Sequence, residues 1–300
     1  FAAFMALASF GIGNMSQANS IAETMNGAFG IPFATSGALV AAGAALVIFG
    51  GLKRIAGVAE KLVPFASVLY IAGGIYVMAY NHEQLPAAFS MIFSEAFRPE
   101  PALSGAAGYG IATAMRYGIS RGVFSNEAGL GSTVMAHSAS DVKEPVEQGM
   151  WGIFEVFADT IVVCTITALC ILSSGVWSPG GSLTGAALTS AAFETALGGF
   201  AGGFISISIM LFAFSTIIGW SYYGERSMRY IAGRRAAGVY KAVFVAFVFI
   251  GSVLKLEMVW DISDTFNGLM ALPNLAALAL LFPQVKKLTE EYIRKGKGRI

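Results

Sequence analysis

Gly118–Gly131 reads GISRGVFSNEAGLG: four glycines, an arginine, an asparagine and a glutamate inside what the flanking residues predict to be a membrane-spanning helix. Glycine costs a helix interior roughly 1 kcal/mol relative to alanine, and a charge at bilayer depth costs roughly 3 kcal/mol. A chain that carries both together is expected to break its helix there and turn the freed backbone toward a polar ligand. Such a break suits a carrier of polar solutes better than an enzyme.

The surrounding sequence makes the membrane assignment. The chain is 56% hydrophobic and 12% charged, with mean hydropathy +0.67; an ordinary soluble domain carries about 25% charged residues. Apolar runs recur at the length of about 20 residues that crosses a hydrocarbon core. Spans are predicted near Phe1–Thr24, Phe33–Leu52, Leu62–Tyr80, Gly105–Ser138, Met150–Leu172, Phe200–Tyr223, Val239–Leu254 and Val259–Phe282. The expectation is an all-α polytopic membrane protein of about eight helices. Residues 1–300 form one transmembrane domain, with 284–300 as a basic cytoplasmic tail.

Charge placement orients it. Lys53, Arg54 and Lys61 fall between the second and third spans. Arg226, Arg229, Arg234, Arg235 and Lys241 separate the sixth from the seventh, and Lys286, Lys287, Arg294, Lys295, Lys297 and Arg299 follow the last. The alternate loops hold only Arg98 and Lys255, and Ser173–Gly199 holds neither Lys nor Arg. The positive-inside rule places the basic loops and the C-terminus in the cytoplasm. The net charge of +1 points to no nucleic-acid partner.

Several chemistries find no support. Cys164 and Cys170, six apart on one helix, point to different faces and read as small apolar residues. His82 and His137 are isolated, without the spacing of a transition-metal site. No phosphate-binding loop is present, and no organic cofactor is indicated. The chain opens at Phe1 within an apolar run, without Met or flanking basic residues, and reads as the C-terminal portion of a longer protein.

Polar residues concentrate in a few spans. In GIGNMSQANS, Gly11–Ser20, Asn14 and Gln17 are three apart and share a helix face. Interhelical hydrogen bonding is the plain reading of Asn14. Gln17 is the better site candidate, because an amide addresses both the carboxylate and the ammonium of an amino acid. Around the predicted break, small-residue packing would explain the glycines but not Arg121, Ser125, Asn126 and Glu127 beside them. Freed carbonyls and the Ser125 hydroxyl can hold Na⁺, and helix-end N–H groups can hold a carboxylate. Arg121 and Glu127 read as structural or gating charges, paired locally or with Glu155 and Asp159. For Glu155 a solvated cytoplasmic face is the plain alternative.

The sixth span carries Ser215 and Thr216, then Trp220 about one turn further on. Hydroxyls bonded back to their own helix and a packed aromatic are the ordinary reading. Paired hydroxyls are also hard oxygen ligands that suit Na⁺. In the last span, Asp261 and Asp264 lie near the outer end, with Asn267 and Asn274 deeper.

RGVFSNEAGLGS followed by AHSAS, EPVEQG and VFADTIVVCTITA resembles the signature of the sodium:alanine (alanine/glycine:cation) symporter family, and GIGNMSQANSIA and STIIGWSYYGER fit it too. The resemblance covers essentially the whole chain. It implies a LeuT-type fold, with two inverted five-helix repeats around a central site and two broken helices. On that template the chain begins at the third core helix and lacks the first, which supplies the other broken backbone. The resemblance makes Gly118–Gly131 the second broken helix, with Phe124, Ser125 and Asn126 lining the amino-acid site and Gln17 facing it. It makes Trp220 part of the wall that limits side-chain size, and gives Ser215 and Thr216 to a sodium site. The implied activity is Na⁺-coupled symport of alanine or glycine across a bacterial inner membrane by alternating access. A proton-coupled carrier of the same fold would need a titratable group at the site, for which Glu127 and Asp159 are the candidates. A channel would show a continuous polar stripe, and an intramembrane enzyme would need a nucleophile and base that the spans do not offer.

Overall fold

The computed structural model describes residues 1–96, 105–178, 181–254 and 256–297, without the side chains of 96, 105–114, 256–262 and 297. Arg98, Lys255 and Arg299, which enter the charge count above, lie outside the described residues, as does the side chain of Asp261. Among those described there are helices, turns and loops, and no strand.

A first rod runs through α1 (Ala2–Phe10), a π-helical turn (Gly11–Met15) and α2 (Ser16–Phe29). Gly30 closes it at φ 67°, a left-handed conformation that costs glycine little, and Pro32 heads α3 (Phe33–Ile48). The chain continues through α4 (Leu52–Tyr80), α5 (Leu85–Ala96), α6 (Gly105–Asn126) and the single turn α7 (Val134–His137). It then passes α8 (Pro145–Val156), a second π-helical stretch (Phe157–Val163), α9 (Cys164–Ser173) and α10 (Gly185–Leu197). Two long helices end it, α11 (Ala201–Val253) and α12 (Leu256–Lys297).

Helix α11 is two arms. Gly233, at φ 81° and ψ −175°, departs from helical geometry. A Cβ on Gly224 would meet the Tyr240 hydroxyl, although sixteen residues of straight helix would separate them by about 24 Å. The second arm therefore folds back along the first, and the basic residues flanking Gly233 occupy the bend.

Among the described residues four helical stretches are long and apolar enough to cross a membrane: Leu52–Tyr80, Pro145–Ser173, Gly185–Val253 and Ser263–Gly296. The first rod is not among them, because Asn14, Gln17 and Asn19 lower its hydropathy. It is instead wrapped by other helices. The burial pattern runs opposite to that of a water-soluble protein. Leu39, Leu46, Val68, Ile153, Phe200 and Leu280 face outward, while Ser9, Asn14, Ser16, Asn19, Ser206, Ser221 and Ser252 are buried. Apolar surface on that scale belongs against lipid tails. The chain is a multi-pass membrane protein.

Small and polar residues hold the first rod to α11, as expected where lipid removes the hydrophobic drive between helices. Asn14 Nδ2 donates to the Phe244 carbonyl at 2.7 Å, and Asn19 Nδ2 to those of Gly251 at 3.0 Å and Leu254 at 2.7 Å. Ser9 and Tyr240 share a hydrogen bond. Around this seam Met5, Ile12, Ile21, Ile48, Ile217, Trp220, Phe244 and Met270 make the main core. A second core joins α4, α9, α10 and α11 through Tyr70, Cys170, Phe193 and Ile205, with Tyr70 Oη 2.7 Å from Thr167 Oγ1. Cys164 and Cys170 are both free thiols.

The seam leaves no room at Gly251, where a methyl would overlap the Met15 backbone, whereas nothing lies within 4 Å of a Cβ on Gly27. Gly251→Ala is expected to destabilise the protein by about 1–3 kcal/mol, as overpacked cores do. Gly27→Ala should be neutral or gain up to about 1 kcal/mol from helix propensity. Thermal unfolding in detergent checks both. A Gly251→Ala midpoint at or above the parent's would show that the rod and the second arm are not in contact.

Candidate functional site

The helix that carries the glycine-rich motif ends at Asn126, and residues 127–133 are non-helical before the single turn of α7. The break is narrower than the sequence suggested. Gly118 and Gly122 stay helical, and no described residue comes within 4 Å of a Cβ built on either. Gly129 and Gly131 act through conformation, at φ 82° and 81°. Glu127 is the single non-glycine residue described with positive φ, at 56°.

Several backbone groups at the break find partners within the protein. Glu127 N–H completes the last turn to the Val123 carbonyl, and Leu130 N–H returns to Glu127 O, both at 3.0 Å. Ala128 N–H donates to Asn126 Oδ1 at 3.1 Å, an Asx turn. The Gly129 carbonyl accepts from Asn274 Nδ2 on α12 at 2.9 Å. Asn274 also lies where a Cβ on Gly131 would go, so glycine is required there twice over.

The polar side chains at the helix end meet the second π-helical stretch. Ser125 Oγ donates to Asp159 Oδ2 at 2.7 Å, and Asn126 Nδ2 to Thr160 Oγ1 at 2.7 Å. π-Helical turns recur at functional sites because they displace side chains and loosen backbone bonding. Here the turn sets Asp159 and Thr160 together against the break. The group offers a carboxylate, two hydroxyls and an amide, hard oxygens beside N–H and O–H donors, suited to a small polar or cationic solute.

Glu127 turns the other way. Its Oε1 accepts from Trp220 Nε1 of α11 at 2.8 Å and its Oε2 from the Ser132 hydroxyl at 2.6 Å. Trp220 is buried with its indole against Gly13 of the first π-helical turn, where any Cβ would overlap the ring. Gln17 is one turn beyond Gly13 on that rod, and its amide donates to its own helix at the Ile12 carbonyl, 3.1 Å away. Phe124 packs on the main core, with the Arg121 guanidinium 5.9 Å from its ring centre.

The predicted site residues thus separate into groups. Ser125 and Asn126 come together with Asp159 and Thr160, and Trp220 joins the break through Glu127. Ser215 and Thr216 lie on the same arm as Trp220, and both hydroxyls donate to the Phe212 carbonyl, at 2.7 and 3.1 Å. That is the back-bonded arrangement, and it leaves the oxygen lone pairs as acceptors. Among the described residues no hydrogen bond joins them to the Ser125–Asp159 group. Asn14 makes the interhelical bond described above rather than sharing a partner with Gln17.

Two pairings differ from expectation. Arg121 forms a two-pronged ion pair with Asp264 of α12, Nη1–Oδ1 at 2.8 Å and Nη2–Oδ2 at 3.0 Å, a partner outside the expected set. Asp264 enters from a span 143 residues away, beyond the reach of helix spacing rules. Glu155 lies 3.4 Å from His137 Nε2. A 470 Å³ cavity beside His137, lined also by Ser140, Pro145 and Gln148, has its polar groups bonded to one another, Gln148 to both His137 and Ser140. These bonds join the segment after the break to α8. Thr160, Asn274 and Gly13 are not among the expected site residues, and Glu127 is expected there only as a gating charge or as a titratable group for proton coupling. For Asn274, a lone amide after Pro273 in an apolar run was the available signal.

The Arg121–Asp264 pair is about one-third exposed on both sides. Asp264→Asn should lower stability by about 1 kcal/mol, since an exposed pair is worth little but a bidentate one more. The exchange Arg121→Asp with Asp264→Arg should recover part of the loss. Equal thermal midpoints for parent and single variant would show that the pair does not tie α6 to α12.

The model of the sodium:alanine symporter family matches residues 1–299. The sodium/alanine symporter AgcS of Methanococcus maripaludis is 42% identical over 305 residues, covering 100% of this chain and 66% of that protein. The probable sodium/glutamine symporter GlnT of Bacillus subtilis is 39% identical over 97% of this chain and 60% of its own length. The sodium/proton-dependent alanine carrier protein of Bacillus sp. PS3 is 36% identical, over 94% of this chain and 67% of its own. The chain spans roughly 60–67% of the length of these relatives. With a broken, polar helix end set inside an apolar helical bundle and a family match over nearly its whole length, this chain belongs to the sodium:alanine symporter family.

Proposed function

We propose that this chain carries one part of the substrate and ion site of a Na⁺-coupled symporter for a small neutral amino acid, alanine or glycine, acting by alternating access in the bacterial inner membrane. In this reading it has about eight spans of a LeuT-type inverted-repeat fold, with basic loops and C-terminus in the cytoplasm. The observation that carries it is the break after Asn126, with Ser125 and Asn126 bonded to Asp159 and Thr160 on one side and Glu127 bonded to Trp220 on the other. Phe124, Ser125, Asn126 and Gln17 contact the amino acid, and Trp220 limits its side chain. Ser215 and Thr216 present oxygen lone pairs to Na⁺. Binding of ion and amino acid then assist one another, as linkage requires. AgcS, named for alanine, supports the substrate, while GlnT, named for glutamine, makes glutamine the informative competitor.

Proton coupling is the second reading. Glu127 and Asp159 are carboxylates at the break itself, and one relative is named as sodium/proton-dependent.

Uptake of radiolabelled alanine into vesicles containing the full-length protein tests both. A sodium gradient should drive accumulation, and replacing Na⁺ by K⁺ at fixed pH should abolish it. Uptake that follows a pH gradient and ignores that replacement would select the proton reading. Replacing Ser215 and Thr216 together by Ala should raise the half-saturating Na⁺ concentration about tenfold, the scale of one lost polar contact. An unchanged Na⁺ dependence would remove them from the ion site.

A further inference from the structure

We infer that Glu127 is a positioning residue for selectivity: its carboxylate holds the Trp220 indole in place, so that the wall of the amino-acid site is set by the conformation of the broken helix. This rests on the proposed reading of Trp220 as that wall.

Three contacts define where the indole lies. It lies against Gly13, it pairs with Tyr223 in a T-shaped arrangement with ring centres 5.6 Å apart, and its Nε1 donates to Glu127 Oε1 at 2.8 Å. Indole nitrogen is the ring's only hydrogen-bond donor, so Glu127 alone fixes the ring's polar edge. Gly13 is on the first rod and Tyr223 on the ring's own helix. Glu127 is therefore the one contact of the three that belongs to the break.

The backbone supports a side-chain role. Positive φ is costly for residues other than glycine, and this segment uses glycine two and four residues later, at Gly129 and Gly131. Glycine at position 127 would relieve the conformation but lose the carboxylate. The second oxygen is held by Ser132, itself buried and near the far end of the break, at 2.6 Å. The carboxylate thus bridges the two ends of the non-helical segment and ties both to α11. A shift of the break moves the acceptor, and the indole with it.

The test compares Glu127→Ala, Glu127→Gln, Trp220→Phe, Trp220→Ala and the Glu127→Ala/Trp220→Phe double variant in reconstituted full-length protein. KM and kcat for alanine are measured with the inhibition constant of leucine. Glu127→Ala and Trp220→Phe should each strengthen leucine inhibition about tenfold, the scale of one charge-assisted hydrogen bond, and change KM more than kcat. Glu127→Gln should keep parental selectivity, because its amide oxygen still accepts from the indole. The double variant should add nothing to either single change. Parental selectivity in Glu127→Ala or Trp220→Phe, an additive double, or a glutamine variant that behaves like the alanine one would overturn the inference. If Glu127→Ala does not fold, Trp220→Phe and Glu127→Gln decide it, since both preserve most of the volume. Trp220→Ala separates the two levels. If it leaves leucine inhibition unchanged, the wall reading fails and this inference with it; if it alone admits leucine, only the role of Glu127 fails.

Discussion

A helix that stops among apolar helices must find partners for its backbone groups within the protein, because apolar surroundings offer none and each unsatisfied group costs several kcal/mol. That constraint organises the structure around residues 127–133. Asn126 bends its own amide to the Ala128 N–H, and Asn274 reaches from α12 to the Gly129 carbonyl. Glu127 adds a carboxylate that must itself be satisfied, and it draws in Ser132 and Trp220. The break thereby dictates polar residues on helices distant in sequence, and those residues fix how α11 and α12 stand against α6.

The remaining architecture follows from packing without hydrophobic drive. The first rod can carry Asn14 and Asn19 because both donate to carbonyls on the second arm of α11. Its glycines and those of α11 let the helices approach closely, Gly251 against Met15 and Gly13 against Trp220. This seam makes a firm backing for the indole. The same helix that is too polar to qualify as an apolar span is the one most enclosed by neighbours, which is the arrangement its composition requires.

Local features were legible in the sequence and pairings across helices were not. Glycine, charge and amide crowding within one apolar run located the break, and the alternation of apolar runs with basic clusters located the bend near Gly233. The break is narrower than composition implies, because Gly118 and Gly122 look the same in sequence as Gly129 and Gly131 and differ in φ and in what lies against them. Arg121 was assigned to the carboxylates nearest in sequence, yet Asp264 is its partner. Residue spacing reports which side chains share a helix face; it carries no information on which helix that face meets. Glu127 shows the same limit, since its role depends on an indole 93 residues away.

The two sides of the break differ in a way that matters for the proposed transport cycle. Toward α11 the contacts are buried and mutually supporting: indole to carboxylate, carboxylate to Ser132, ring to Gly13. Toward the second π-helical stretch they are accessible hydroxyl–carboxylate and amide–hydroxyl bonds, with Ser125 exposed. A solute that offers an ammonium or a cation can replace the Ser125–Asp159 bond at little cost, because the groups that part are then repaired by the solute. It cannot replace the Glu127–Trp220 bond without stranding a buried donor. On the proposed function, exchange with the solute belongs to the Ser125–Asp159 side, and selection by shape to the Trp220 side. A carrier needs both properties at one break, the first to bind and release and the second to refuse side chains that are too large.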